Sequence, residues 1–270
     1  VKVGICGLGM MGGSLGLALD PAHLVLGYDP SPQARAEAMR RKAVSAIVDS
    51  PTDLAGCDLV VLTGPPDSIA AAAREVLRSG SSIVTDIAGV KTPIVAALEG
   101  APGVERFVGG HPMAGNEFAG VQHADPGIFS GAAWILTPTE ATAPTSIEAV
   151  EGLVRSLGCI PRRMTPADHD DQVALVSHLP NLLANLLLLI GAERGASDLA
   201  GGSFKDLTRV AGGNPALWAT LLDLNRTYVG AWCAELRERL AAVEAKLQAR
   251  DTDHIFALFE RAAQVKGGRP

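Results

Sequence analysis

"VKVGICGLGMMGGSLGLAL", residues 1–19, decides the fold. A short β-rich run, "VKVGIC", stops at Gly7, and a helix-like stretch continues to Leu19. Between them Gly7, Gly9 and Gly12 spell G-L-G-M-M-G. In such a turn the first glycine permits the tight bend, the second lets backbone approach a pyrophosphate, and the third lets helix pack on strand. The helix N-terminus adds free N–H groups and partial positive charge for phosphates. Gly7, Leu8, Gly9, Met10, Met11 and Gly12 are therefore candidate cofactor-binding residues. The glycine pattern alone is common. Its strand–turn–helix setting is more specific, and so is Asp29 at the end of the second strand, where a carboxylate can accept both ribose hydroxyls. Asp29 would repel a 2′-phosphate, and no arginine follows it directly, Arg35 lying a helical turn further on. The expected dinucleotide is NAD, with NADP less favoured.

Outward from this turn the pattern alternates. "HLVLGYD", "DLVVLTG", "SSIVTDI", "RFVGG", "AAWILTP" and "CIPRRMT" read as strands. Between them run helical stretches, among them "SPQARAEAMRRKA", with Ser31 as N-cap and Pro32 at the first helical position. Continuous apolar strands alternating with helices predict a mostly parallel, doubly wound sheet covered on both faces. "LTGPP", residues 62–66, ends one strand on the ligand edge, so Gly64, Pro65 and Pro66 are expected to wall the cofactor cleft or merely to join strand to helix. After about residue 165 the strands stop. "PADHDDQVALVSHLPNLLANLLLLIGAERG" predicts a long helix kinked at Pro180, and Asn214 with Pro215 opens another. Trp218, Leu221, Leu222, Asn225, Val229, Trp232, Leu236, Leu240, Val243 and Leu247 form one sustained helical stripe, and a last helix follows a cap at Asp251 or Thr252. The expected architecture is a dinucleotide-binding domain over 1–165 and an all-helical domain over 166–270. The long apolar helical faces suggest a homodimer; a monomer folding them on each other is the alternative.

Bulk properties narrow the function classes. The 270 residues are 47% hydrophobic and 19% charged, ordinary globular values, with net charge −6. No basic block appears, which argues against nucleic acid or an anionic membrane as partner. An anionic ligand must then be held by local cations. Cys6, Cys57, Cys159 and Cys233 form no C-x-x-C pair, so neither zinc nor a redox motif is signalled, and no metal is expected. The first two are expected to be buried. With a strand at its first residues, the chain is expected to carry no signal peptide, and the apolar stretch 179–192 is read as too short to span a bilayer. A cytoplasmic protein is expected.

"GGHPMAGNEFAG", residues 109–120, places His111 between two glycines and a proline after the strand "RFVGG". The expectation is a histidine leaving the carboxyl end of that strand on a kinked loop, where Gly109 and Gly110 permit an unusual path and Pro112 stiffens it. Open α/β sheets bind ligands at that edge. A lone histidine is more often structural, but this setting favours a functional one.

With these segments the sequence resembles the prephenate/arogenate dehydrogenase family. "HPMAGNE" resembles its H-P-M-x-G-x-E, "TDIAGVK" its D-V-G-S-V-K, "SHLPN" its S-H-L-P-H, and "SFKDLTRVAGGNPALW" its F-[KR]-D-x-T-R-[IV]-A…P-x-[ML]-W. The matches run in order over essentially the whole chain. The resemblance implies a Rossmann-type domain, a helical dimerisation domain, and oxidative decarboxylation of a cyclohexadienol. It implies that His111 takes the hydroxyl proton, that Arg209 and Lys205 bind the anionic substrate, and that Glu117 sits at the mouth of the site, where a carboxylate favours an ammonium-bearing side chain. Lys205 and Arg209 share a helix face by their spacing of four, although a solvated cationic face would look the same. His178 is expected either to touch the substrate side chain or to pack its helix.

Two departures stand out. The family serine is Gly89 here, so either a water, Thr85 or Thr92 is expected to stand in for its hydroxyl, or turnover is expected to be slower. The second histidine of S-H-L-P-H is Asn181, which can hydrogen-bond but carries no charge. The family's fused mutase and regulatory domains are not among these residues, so any inhibition by tyrosine is expected at the active site. A β-hydroxyacid dehydrogenase would need an N-x-x-K lysine on the helix carrying "SHLPN", which has none. The reading of another class is a dinucleotide-binding sensor or inactive relative, motivated by Gly89 and Asn181.

Overall fold

The structure is a computed structural model that describes residues 1–19, 23–115, 118 and 120–268. Eight strands form one sheet: β1 (Lys2–Cys6), β2 (Leu24–Tyr28), β3 (Ala46–Ile47), β4 (Leu59–Leu62), β5 (Ile83–Asp86), β6 (Phe107–Pro112), β7 (Ala133–Thr137) and β8 (Ile160–Arg163). Their order is β3-β2-β1-β4-β5-β6-β7-β8. The first six run parallel, β7 is antiparallel to β6, and β8 runs parallel to β7. Helices α1 (Met10–Ala18), α2 (Pro32–Arg40), α3 (Ile69–Ser79), α4 (Thr92–Leu98) and α5 (Pro144–Ser156) cover it. Alternate side chains feed two cores: Val61 joins Val3, Ile5, Leu15 and Trp134 on one face, while Val60 and Leu62 join Ile69, Val76 and Leu98 on the other. Burial on both faces explains why these strands read as unbroken apolar runs. Ser31 caps α2 as expected, its hydroxyl accepting from the Ala34 N–H at 3.3 Å.

The helical part begins with α6 (Pro166–Val173) and α7 (Leu179–Glu193), joined without a break by a π turn over Ala174–His178, directly before Pro180. Proline lacks the N–H that would bond the preceding turn, and that turn widens instead. The whole run, Pro166–Glu193, is long and apolar enough to cross a membrane, so its length does not argue against that role. Its polar residues His169, Asp170, His178 and Asn181 are buried within the fold, as in the core helix of a globular protein. Next come α8 (Gly202–Thr208) and α9 (Pro215–Leu224), the latter capped by Asn214.

The stripe from Trp218 to Leu247 is not one helix. It stops at Asn225 and restarts as α10 (Arg226–Gln248). Asn225 is buried, and its amide donates to the Asp170 carbonyl at 2.9 Å and pairs with His178 Nδ1 at 3.1 Å. A polar side chain held by tertiary hydrogen bonds overrides the helical periodicity around it. The chain divides here into two compact units, Val1–Asn225 and Arg226–Pro270. The second consists of α10 and α11 (Thr252–Gly267), with Asp251 as the α11 cap.

Candidate active site

The glycine turn lies where β1 and β4 meet, at the carboxyl ends of the parallel strands and at the point where strand order reverses. Gly7 has φ +109°, a left-handed conformation that only glycine adopts cheaply. A Cβ on Gly12 would overlap the Gly7 carbonyl oxygen, whereas one on Gly9 would meet nothing within 4 Å. Gly9 thus opens onto free space at the N-cap of α1 while its neighbours are packed tight. That cradle fits a pyrophosphate. Asp29 Oδ2 accepts from the Leu8 N–H at 2.7 Å and Oδ1 from the Ser31 N–H at 2.8 Å, which sets the carboxylate beside the turn with lone pairs left for ribose hydroxyls. Leu8 and Met10 are buried, and Met11 reaches toward Gly115 beyond β6. A Cβ on Gly7 would come within 2.8 Å of Thr63 and Gly64, so "LTGPP" backs directly onto the turn. Thr63 Oγ1 donates to the Cys6 and Gly7 carbonyls, a tie that the sequence reading missed.

His111 departs from its expected setting. It lies within β6, opposite Ile135 of β7, and Pro112 ends the strand opposite Trp134. Gly109 and Gly110 are there for space: a Cβ on Gly110 would sit 2.8 Å from both Thr85 Oγ1 and Trp134 Nε1, and one on Gly109 would overlap Thr137 Oγ1. Close strand packing, not an unusual backbone path, demands the glycines. The antiparallel pairing with β7 extends the sheet past the end of β5 and carries the imidazole with it.

Around His111 the fold assembles groups from four elements. Asp86, at the end of β5, and Lys91, before α4, form a fully buried ion pair. Lys91 Nζ also donates to the Gly110 carbonyl at 2.7 Å, and Asp86 accepts from the N–H of Gly110 at 3.0 Å and of Ala88 at 2.9 Å. A buried pair is tolerable when its hydrogen-bonding capacity is used in this way, and here it clamps the residue preceding His111. His111 Nδ1 is 2.8 Å from His169 Nε2, and His169 Nδ1 is 2.7 Å from Asp170 Oδ1. The Asp170 carboxylate also accepts from the N–H groups of Lys91 and Thr92 at 2.7 and 2.8 Å, so it caps α4 as well. His169, Asp170, Asp86, Lys91 and Asn225 had no assigned role in the sequence. Lys91 and Asp86 lie within the recognised "TDIAGVK", but nothing local marked the others.

Burial, reinforced by the neighbouring Lys91 ammonium, pushes His111 well below the ordinary imidazole value and keeps it neutral. Burial alone would raise the Asp170 carboxyl, but hydrogen bonds from His169, Thr92 and Lys91 outweigh it and hold the group below its usual value. Burial also pushes the Lys91 ammonium down, against the pull of Asp86. The ring edge of His111 faces Gly89, where a Cβ would lie 3.7 Å from Nε2. Among the described residues, neither the Thr85 nor the Thr92 hydroxyl hydrogen-bonds His111. Among the described residues, the hydrogen-bond partner of His111 is His169, at Nδ1.

His178 is almost fully buried, turned to Asn225 and edge-on to Trp218 with ring centroids 6.1 Å apart. Burial lowers it to about 4, so it is neutral at pH 7. Asn181 is committed to its own chain: it donates to the Val210 carbonyl at 2.8 Å and accepts from Asn185 at 3.0 Å, while Asn185 Oδ1 accepts from the Gly212 N–H at 3.1 Å. Together they pin the loop after Arg209. Lys205 lies on α8 and Arg209 is its C-cap; both side chains are exposed and, among the described residues, unpaired. Glu117 falls outside the described residues. Among those residues no group of three His, Cys, Asp or Glu side chains converges as a metal site. Burial pushes the Cys6 thiol up to about 12, which leaves it inert.

A family model described as the prephenate dehydrogenase nucleotide-binding domain matches residues 16–160, and one described as the prephenate dehydrogenase dimerization domain matches 165–261. The chain belongs to the prephenate dehydrogenase family. It is a dehydrogenase of that kind. Within the family, it is 27% identical to the prephenate dehydrogenase of Bacillus subtilis (strain 168), over 98% of this chain and 75% of that relative. The crystal structure of prephenate dehydrogenase from A. aeolicus with hydroxyphenyl propionate and NAD+ superposes with a TM-score of 0.89 at 28% identity, covering 98% and 96% of the two chains. Synechocystis arogenate dehydrogenase gives 0.85 at 28% identity, covering 99% of each.

Proposed function

We propose that this chain uses NAD to oxidise and decarboxylate prephenate, arogenate or both, with His111 as the base. One observation carries the reading: a neutral histidine stands at the same sheet edge as an open glycine cradle, its Nε2 edge free of hydrogen-bond partners among the described residues. NAD, when bound, supplies the nicotinamide carbon that accepts hydride. Gly7 to Gly12 and Asp29 hold it, with Gly64, Pro65 and Pro66 beside the turn. His111 Nε2 accepts the proton of the substrate 4-hydroxyl, and loss of the ring carboxylate as CO₂ aromatises the ring. Arg209 offers parallel N–H donors to a substrate carboxylate, Lys205 adds a second cation, and Glu117 discriminates between side chains. Buried His178 and Asn181 shape that wall, and Gly89 leaves room beside Nε2.

The dinucleotide part is assigned to 1–165 and the substrate and dimerisation part to 166–270. The solvent-facing side of α7 supports a homodimer through the helical part: Leu183, Leu186, Leu189 and Ile190 are exposed in the single chain. Four free cysteines suit a reducing cytoplasm.

NADH formation from prephenate and arogenate, compared side by side with NAD and then NADP, tests the assignment. Turnover of either substrate supports it, and the kcat/KM ratio fixes specificity. NAD binding without turnover of either would favour the sensor reading. His111→Asn should lower kcat by about 100-fold or more while NAD still binds; near-normal turnover would remove His111 as the base.

A further inference from the structure

We propose that His169, backed by Asp170, is the positioning residue that sets the proton tautomer and ring orientation of His111. The proposal rests on His111 being the base. The hydrogen bonds assign the protons. The Asp170 carboxylate is ionised and can only accept, so His169 Nδ1 donates to it across 2.7 Å. In a neutral His169 ring Nε2 is then the acceptor, and the proton in the 2.8 Å contact belongs to His111 Nδ1. His111 is left with a bare Nε2, the atom on the Gly89 side.

The anchor is rigid because Asp170 is itself held. Its carboxylate spans the N–H groups of Lys91 and Thr92 at the start of α4, and its carbonyl accepts from Asn225. His169 and Asp170 are buried, so no solvent competes for these bonds. A neutral imidazole with no partner at Nδ1 divides between two tautomers and rotates about its side-chain bonds, and only one arrangement presents a lone pair to the substrate hydroxyl. Gly89 offers no hydroxyl on the opposite edge, so among the described residues the His169 contact is the hydrogen bond that orients the ring. When His111 takes the proton, its charge develops beside His169 and the Asp170 carboxylate, which favours that charge.

The test compares His169→Leu with His169→Gln. Leucine removes the acceptor. The glutamine amide oxygen can still accept from His111 Nδ1–H. The expected result is a fall in kcat of about 100-fold for His169→Leu, within the range a positioned base contributes. KM and NAD affinity should stay within about threefold, and His169→Gln should recover at least about tenfold of the loss. Leucine and glutamine variants with equal kcat, or a loss confined to KM, would overturn the proposal. A second measurement does not depend on the folding of either His169 variant. ¹⁵N-histidine NMR of the wild-type protein at pH 7, with His111 assigned by the signal lost in His111→Asn, should show protonated Nδ1 and bare Nε2. The opposite tautomer would overturn it. If His111→Asn keeps its activity, the assigned base fails. If it loses activity while His169→Leu turns over normally, only the positioning role fails.

Discussion

Two glycines in one turn should respond oppositely to the same added methyl. In Gly9→Ala the Cβ meets no protein atom within 4 Å, at an N-cap with φ −79° and ψ −159° that alanine can adopt. The folded state loses only N-cap preference, about 0.5–1 kcal/mol, which lowers Tm by about 1–4 °C in a chain of this size. In Gly12→Ala the Cβ overlaps the Gly7 carbonyl oxygen and approaches Thr63 Oγ1 to 2.8 Å. A backbone oxygen within a hydrogen-bonded turn cannot swing aside. The cost belongs at the upper end of overpacking, about 3 kcal/mol, or about 6–12 °C in Tm. Dinucleotide affinity should separate from stability. The Gly9 methyl occupies the space through which a pyrophosphate approaches, so NAD Kd should rise about tenfold or more, equivalent to at least about 1.4 kcal/mol. Thermal melts and calorimetric NAD titrations of the two variants read both quantities. A Gly9→Ala protein with parental NAD affinity would refute the placement of the pyrophosphate, and a Gly12→Ala protein with parental Tm would refute the packing argument.

Three further outcomes are expected. Arg209→Ala should raise KM for substrate about 10- to 100-fold, the loss of a charge-assisted contact, with NAD affinity unchanged; an unaltered KM would move the carboxylate site elsewhere. The folded-state values of His178 and His111 lie below the unfolded imidazole value, so their stabilising contribution is complete above about pH 6.5. It declines as the pH falls and the unfolded chain takes up protons first, for His178 until about pH 4. Melts should therefore show a smaller drop in Tm between pH 7 and 5 for His178→Gln than for the parent, and equal drops would count against a buried neutral His178. Leu189→Glu should dissociate a dimer formed through α7, read by sedimentation velocity; an unchanged sedimentation coefficient would place the contact on another face.

The sequence by itself determined the sheet and its ligand edge, because the signals are local. Strand alternation, the glycine spacing and Asp29 lie within a few turns of one another, and each glycine's role follows from backbone sterics. His111 was legible as a candidate for the same reason, although its glycines read as a loop when they are a crowded strand pairing. The tertiary structure alone decided what surrounds it. His169 lies 58 residues from His111, and Asn225 lies 55 from Asp170. No periodicity connects residues so far apart; only packing the helical part onto the sheet brings them within hydrogen-bond distance. The same packing broke the apolar stripe at Asn225, tied Asn181 to the loop after Arg209, and buried His178. Buried polar groups must find partners, and which partners they find is settled by the assembled fold.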